Sequence, residues 1–274
     1  SWREVSARSS RAATGLEYCE LSHPFGHGVP VWPGDDDVLI WRSVYHARDG
    51  VLSQKLSMNM HCSTHMTAPV HLVQGGAFVS QLPIDLFFGS GVVLDIPKGK
   101  WEYITADDLE AVGHIVEDDD IVLINTGWHR KYSDSLEYFG EAPGLSEDAA
   151  DWLIEKGVKL VGTDTAAIDH PMATNLALHR GGPKMRYLPG DYERDTGRDP
   201  KVDFPKWHPA HKKLLEAGIP TISNVGGDID LISGKRGTYH AMPWKWWDGE
   251  ACVINLVAIT DPSGAYRIEK GVAA

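Results

Sequence analysis

Residues 61–71 read His61-Cys62-Ser63-Thr64-His65-Met66-Thr67-Ala68-Pro69-Val70-His71, which puts three of the chain's thirteen histidines into one short stretch. Imidazole is the commonest metal ligand and the usual proton carrier near neutral pH, so this cluster is the strongest functional signal in the chain. In an extended strand His61 and His65 would share a face yet stand roughly 13 Å apart, at about 3.3 Å per residue. Two nitrogens on one ion each lie only about 2 Å from it. The segment must therefore be a helical turn or bend sharply around Cys62-Ser63-Thr64. The helical metalloprotease signature needs Glu directly after its first His, and Cys62 stands there instead. Pro69 argues against a continuing helix because it biases Ala68 towards extended backbone. The spacing predicts a bent loop leading out of a strand that ends at Met60. A set of buried, hydrogen-bonded histidines with no ligand is the alternative.

Outward from this stretch, short runs rich in Val and Ile recur and are bounded by Gly, Pro or Asp. They predict strands over Val38–Tyr45, Gln54–Met60, Gly91–Ile96, Ile121–Thr126, Val158–Thr163, Pro220–Ser223 and Cys252–Ile259. Several are apolar throughout rather than alternating, the pattern of a sheet covered on both faces. Three helices carry start and stop signals. Thr105 can cap Ala106–Val112, Ser146 can cap Glu147–Lys156 ahead of Gly157, and Pro209–Ala217 ends at Gly218. Strands interleaved with a few helices predict a single α/β domain. Residues 1–15 read as an N-terminal extension and 16–274 as the domain. The Gly-, Pro- and charge-rich stretch from Arg180 to Pro209 reads as a long excursion, of the kind that covers sites or interfaces.

Bulk composition bounds the partners. At 274 residues the chain is long enough for a substantial core. Its net charge of −12, spread along the chain, disfavours nucleic acid and anionic membrane and favours a neutral small-molecule guest. No apolar run approaches a membrane span and no signal-peptide core precedes Gly15, so a cytoplasmic location is the default expectation. Cys19, Cys62 and Cys252 are odd in number and far apart, which indicates neither a disulfide framework nor a zinc ribbon. Cys62 reads as a small filler rather than a reactive thiol. Of the ten tryptophans, those in Pro243-Trp244-Lys245-Trp246-Trp247 suit an aromatic pocket wall or an oligomer contact, and Trp32 suits stacking on a planar ring.

The stretch 61–71 resembles the H-x-G-T-H-x-D-x-P-x-H signature of the metal-dependent cyclase and bacterial kynurenine formamidase family. His61, Thr64, His65, Pro69 and His71 match at the same spacing. Leu21-Ser22-His23-Pro24, Val31-Trp32-Pro33-Gly34-Asp35, Gly162-Thr163-Asp164-Thr165 with Asp169-His170-Pro171, and His211 with Gly218-Ile219-Pro220 look like further family segments. The departures are Ser63 for the signature glycine, Thr67 for the signature aspartate, and Ser223 where two-metal members carry glutamate. Serine at that place is similar to the isatin hydrolase branch, which is associated with one manganese.

The resemblance implies a swivelling β/β/α fold that assembles as a homodimer or homotetramer. It implies one divalent metal per chain, manganese ahead of zinc, held by His61, His65 and Thr67. Losing two acidic ligands removes about two negative charges and leaves a neutral hydroxyl that bridges ions poorly, which argues against a binuclear centre. The implied catalytic residues are His71 as general acid/base, with His211 and Ser223 as a proton relay or supporting pair, and Trp32 contacts substrate. The expected reaction is hydrolysis of a small neutral or aromatic cyclic amide, an isatin-like lactam or imide, by metal-activated water. A lactone or an open-chain formamide such as N-formylkynurenine falls under the same chemistry. Two alternatives remain: a metal-free cyclase, dehydratase or isomerase using the histidines, and a non-enzymatic small-molecule binding protein on the same scaffold.

Overall fold

Ile121–Asn125 and Leu160–Thr163 are buried at every position, and this pair forms the centre of the fold. The computed structural model describes residues 9–177 and 184–264. In it Phe88–Asp95, Ile121–Asn125, Leu160–Thr163 and Thr221–Ser223 run parallel, side by side. Beyond Thr221–Ser223 lie His65–Thr67 and then Ala251–Val253, each antiparallel to its neighbour. Beyond Phe88–Asp95 lie Arg236–His240, Val257–Thr260, Glu17–Glu20 and Ser10–Arg11, all antiparallel, which completes a ten-stranded mixed sheet.

Successive side chains of a strand face opposite sides. Val93, Ile121 and Leu123 accordingly enter one core, and Val92, Leu94, Val122 and Ile124 enter another. The second core is closed by Leu109, Leu153 and Leu214 from the helices Ala106–Val112, Glu147–Glu155 and Pro209–Glu216. The first contains Cys19 and Ala258 from one end of the sheet together with Met66 and Cys252 from the other, so the sheet curls over its own inner face. This is a single-domain α/β fold with a large curled sheet. At about 1.5–3 kcal/mol per fully buried large apolar side chain, the two cores supply the main driving force for that curl.

The expected helices form where their caps lie. The Thr105 hydroxyl accepts from Asp108 N–H, and Ser146 accepts from Ala149 N–H. Two strand expectations need correction. Gln54–Met60 is paired only within Ser53–Ser57, because the chain then bends towards His61. Cys252–Ile259 is not one strand: Ala251–Val253 pairs at one edge of the sheet and Val257–Thr260 near the other. Between them Ile254 N–H donates to Thr64 and Leu256 accepts from Leu21, so the connecting residues cross from one end of the sheet to the other. The strands Glu17–Glu20, His65–Thr67 and Arg236–His240 escaped the pattern, being polar or only three to five residues long.

Leu39–Val44 and Ser53–Ser57 form a separate hairpin whose Leu39, Trp41 and Leu56 are exposed. Residues 1–8 of the anticipated extension lie outside the described residues, as do 180–183 of the Arg180–Pro209 excursion. The described part of that excursion carries the helices Leu188–Thr196 and Pro200–Asp203.

Candidate metal centre and cavity

The bend at residues 59–64 is built around Ser63, which has a left-handed φ of 53°. Most side chains resist that conformation, which explains why glycine suits this place in the signature. Backbone and side chains lock the bend. Thr64 donates its hydroxyl to the Asn224 carbonyl at 2.6 Å and accepts from His23 N–H at 2.9 Å. Asn224 in turn donates its amide to the Ser63 carbonyl at 2.8 Å. The chain then enters His65–Thr67, a strand held on both sides, with Ser223 and Val253 opposite His65 and with Thr221 and Ala251 opposite Thr67. His65 and Thr67 share one face, and Met66 points into the core. Ala68 is extended, with ψ 157°, and Pro69 opens a single 3₁₀ turn, Pro69–His71, that carries His71 back to the other histidines.

Every sequence-predicted site residue lines one cavity of about 360 Å³: Trp32, His61, His65, Thr67, His71, His211 and Ser223. Lys184, Trp207 and His208 from the excursion also border it. The Trp32 indole N–H donates to Asn175 Oδ1 at 2.8 Å, which fixes the plane of the ring. His211 Nε2 meets the Thr221 hydroxyl at 2.7 Å. The Cys62 thiol donates to the Asn59 carbonyl at 2.9 Å. Burial and then the charge of Asp35 push this thiol up to about 12, so it stays protonated and fills space.

Hydrogen-bond accounting tests whether the histidines fit a metal. His65 Nδ1 faces the Ser63 carbonyl at 2.9 Å and must carry the ring proton. Burial, and next the neighbouring His61, depress His65 to about 3, so the ring is neutral and its Nε2 offers a lone pair. That lone pair meets His61 Nδ1 at 3.2 Å, and His61 Nε2 meets Glu250 Oε2 at 2.6 Å. A neutral imidazole has one proton, so it cannot satisfy both acceptors. A cation between the two facing nitrogens satisfies both contacts, with the remaining His61 proton given to Glu250. The donor set therefore fits one divalent ion. Thr67 adds a neutral hydroxyl and no bridging carboxylate.

Glu250 was missed by sequence reading. Burial works to raise its pKa, but hydrogen bonds from His61 and His71 outweigh that and hold the carboxyl well below the usual range. No motif marks Glu250, because its place is set by pairing across 189 residues of sequence. Asn224 was missed for the same reason. Asp164, Asp169 and His170 are engaged by neighbouring backbone and side chains. Asp164 accepts from Thr126 and His129, and Asp169 accepts backbone N–H groups at the start of Pro209–Glu216. His170 stacks on Phe204, with ring centroids 4.4 Å apart.

Comparison with known proteins gives this geometry a context. The chain is 30% identical over 164 residues to kynurenine formamidase of Bacillus cereus, covering 60% of this chain and 75% of the relative. It is 29% identical over 175 residues to that of Erythrobacter litoralis, covering 62% and 77%. Among solved structures, isatin hydrolase A from Labrenzia aggregata bound to benzyl benzoate superposes with a TM-score of 0.71 at 20% identity, covering 91% of this chain and 96% of that one. A structure described as a potential metal-dependent hydrolase with cyclase activity gives 0.64 at 21% identity, covering 89% and 98%. The family model Cyclase, described as "Putative cyclase", matches residues 19–170, more than half of the sequence, and this chain belongs to that family.

Proposed function

We propose that this protein hydrolyses the C–N bond of a small neutral cyclic amide, an isatin-like lactam or imide, using one divalent ion per chain, manganese ahead of zinc. The observation that carries the reading is that Trp32, the three motif histidines, His211 and Ser223 line one and the same cavity. When bound, the ion polarises the carbonyl and acidifies water. His61, His65 and Thr67 hold it. Trp32 stacks on the planar ring and orients it. His71 takes a proton from water and returns it to the leaving nitrogen. His211, hydrogen-bonded to Thr221, and Ser223, opposite His65, border the same space and support that transfer. The net charge of −12 favours a neutral guest. An N-formyl aromatic amine fits the same chemistry, and formamidase relatives support it.

A metal-free acid/base enzyme is the second reading, a cyclase, dehydratase or isomerase. It is favoured by the His61–His65 contact at 3.2 Å, which a second proton on His61 satisfies as an ion would. Elemental analysis of protein purified without chelator, followed by assays on isatin, other lactams and N-formylkynurenine, separates the two. One ion per chain, lost in His61→Ala, with hydrolysis that fails after chelation, supports the first. Full activity with no ion bound overturns it.

We further propose a homodimer or homotetramer, supported by exposed Leu39, Trp41 and Leu56 on the separate hairpin. The division at residue 15 is also a proposal. A cytoplasmic location is supported by three free, buried thiols. No helix among the described residues is long and apolar enough to cross a membrane.

A further inference from the structure

We infer that Glu250 is the positioning carboxylate of this centre, setting from behind the rings which nitrogens of His61 and His71 face the cavity. The inference deepens the metal-dependent reading above and rests on it. Glu250 directly precedes the edge strand Ala251–Val253, in which Ala251 lies opposite Thr67. Its carbonyl accepts from Ala68 N–H at 2.9 Å, so its backbone is pinned to the histidine motif. The side chain is then placed by the ladder rather than by a free loop.

One oxygen does two jobs. Glu250 Oε2 lies 2.6 Å from His61 Nε2 and 3.0 Å from His71 Nδ1. An ionised carboxylate only accepts, so both of those nitrogens carry protons. Each neutral ring then has a single lone pair left, on His61 Nδ1 and on His71 Nε2. His61 Nδ1 is the nitrogen that faces His65 Nε2 at 3.2 Å, a spacing that two ligands of one ion adopt. His61 and His71 line the cavity and Glu250 is not among its lining residues, although its carboxylate lies with ligand atoms of both rings inside one 4.8 Å group. A carboxylate on the outer nitrogen of a metal-ligating histidine fixes its tautomer and raises its basicity. Here the same oxygen does this for His61 and orients the proton carrier His71. Thr67 brings no charge to the ion, so the nearby carboxylate charge is that of Glu250, one residue before the partner of Thr67.

The test is calorimetric titration of metal-free full-length protein with Mn²⁺, comparing wild type, Glu250→Gln, Glu250→Ala and the double variant Thr67→Asp/Glu250→Ala. Glu250→Gln keeps the shape of the side chain and guards against a misfolded alanine variant. Both single variants are expected to bind Mn²⁺ about 10–100-fold more weakly. Adding Thr67→Asp is expected to regain at least about tenfold over Glu250→Ala, by returning a carboxylate to the ion. Long-range ¹H–¹⁵N spectra of the Zn²⁺-loaded protein should show His61 protonated at Nε2 in wild type and should lose that signature in Glu250→Gln. Equal Mn²⁺ affinity in wild type and both single variants overturns the inference while leaving the metal-dependent reading intact. A wild type that takes up neither Mn²⁺ nor Zn²⁺ overturns both.

Discussion

Two clusters in this molecule have the same composition, two histidines and one carboxylate, yet their carboxylates do different work. In the first, Glu250 directs its acceptor oxygen at the ring nitrogens of His61 and His71. In the second, Asp169 accepts from the backbone N–H groups of Ala210 at 2.8 Å and His211 at 3.2 Å, with His208 Nδ1 more distant at 3.3 Å. Asp169 is fully buried at the start of Pro209–Glu216, where His208 has a left-handed φ of 46° and supplies no side-chain cap. It replaces the missing cap and holds the helix that presents His211. Residue types alone would rank the clusters equally. The destination of each carboxylate oxygen separates a group that tunes side-chain chemistry from one that anchors backbone.

That contrast can be broken by substitution. The largest effect belongs to the first cluster: His61→Ala is expected to lower kcat/KM for an accepted amide by about a thousandfold, several kcal/mol of lost ion chemistry. Steady-state kinetics at saturating Mn²⁺ would read it, and a fall of less than tenfold would demote the motif. Asp169→Ala should instead cost stability, about 3 kcal/mol for stranding buried N–H donors, with Mn²⁺ uptake retained. Urea midpoints measure this, and a stable Asp169→Ala protein that had lost Mn²⁺ uptake would reverse the roles assigned to the two clusters.

Acid sensitivity comes next. His23, His65 and His170 are each depressed to about 3, burial being the leading cause. Below the ordinary histidine value of about 6.5 the unfolded chain takes up protons that these buried rings refuse. Stability is therefore full above that value and falls as pH drops towards 3, by about 1.4 kcal/mol per pH unit for each ring. His170 lies outside both clusters, so His170→Phe should flatten the slope of stability between pH 6 and 4 by one ring's share. An unchanged slope would show that its burial carries no protonation cost. The smallest effect is a control far from the cavity: Thr105→Ala removes the cap of Ala106–Val112 and should cost about 1 kcal/mol in thermal unfolding, with no change in Mn²⁺ affinity.

Much of this was legible in the sequence where the cause is local. Caps at Thr105 and Ser146 depend on residues three positions away, and the central strands declare themselves by runs of Val, Ile and Leu. The bend after Met60 followed from the reach of two imidazoles. Glu250 and Asn224 were illegible because strand pairing, not spacing, brings them to the motif. The run Cys252–Ile259 misled for a related reason: its apolar residues serve two distant strands, and periodicity does not reveal that the chain crosses the sheet between them.

The long separation between the histidine motif and Ala251–Val253 has a consequence for the order in which the protein becomes competent. The central strands Phe88–Asp95, Ile121–Asn125 and Leu160–Thr163 pair with one another within residues 88–163, so those ladders can form early. His65–Thr67 receives its first partner only when Thr221–Ser223 is available, and its second only with Ala251–Val253. A chain emerging from the ribosome therefore holds all three motif histidines, while residues 72–250 are made, without the edge strand that aligns them. The centre assembles last, after the scaffold around it is already committed.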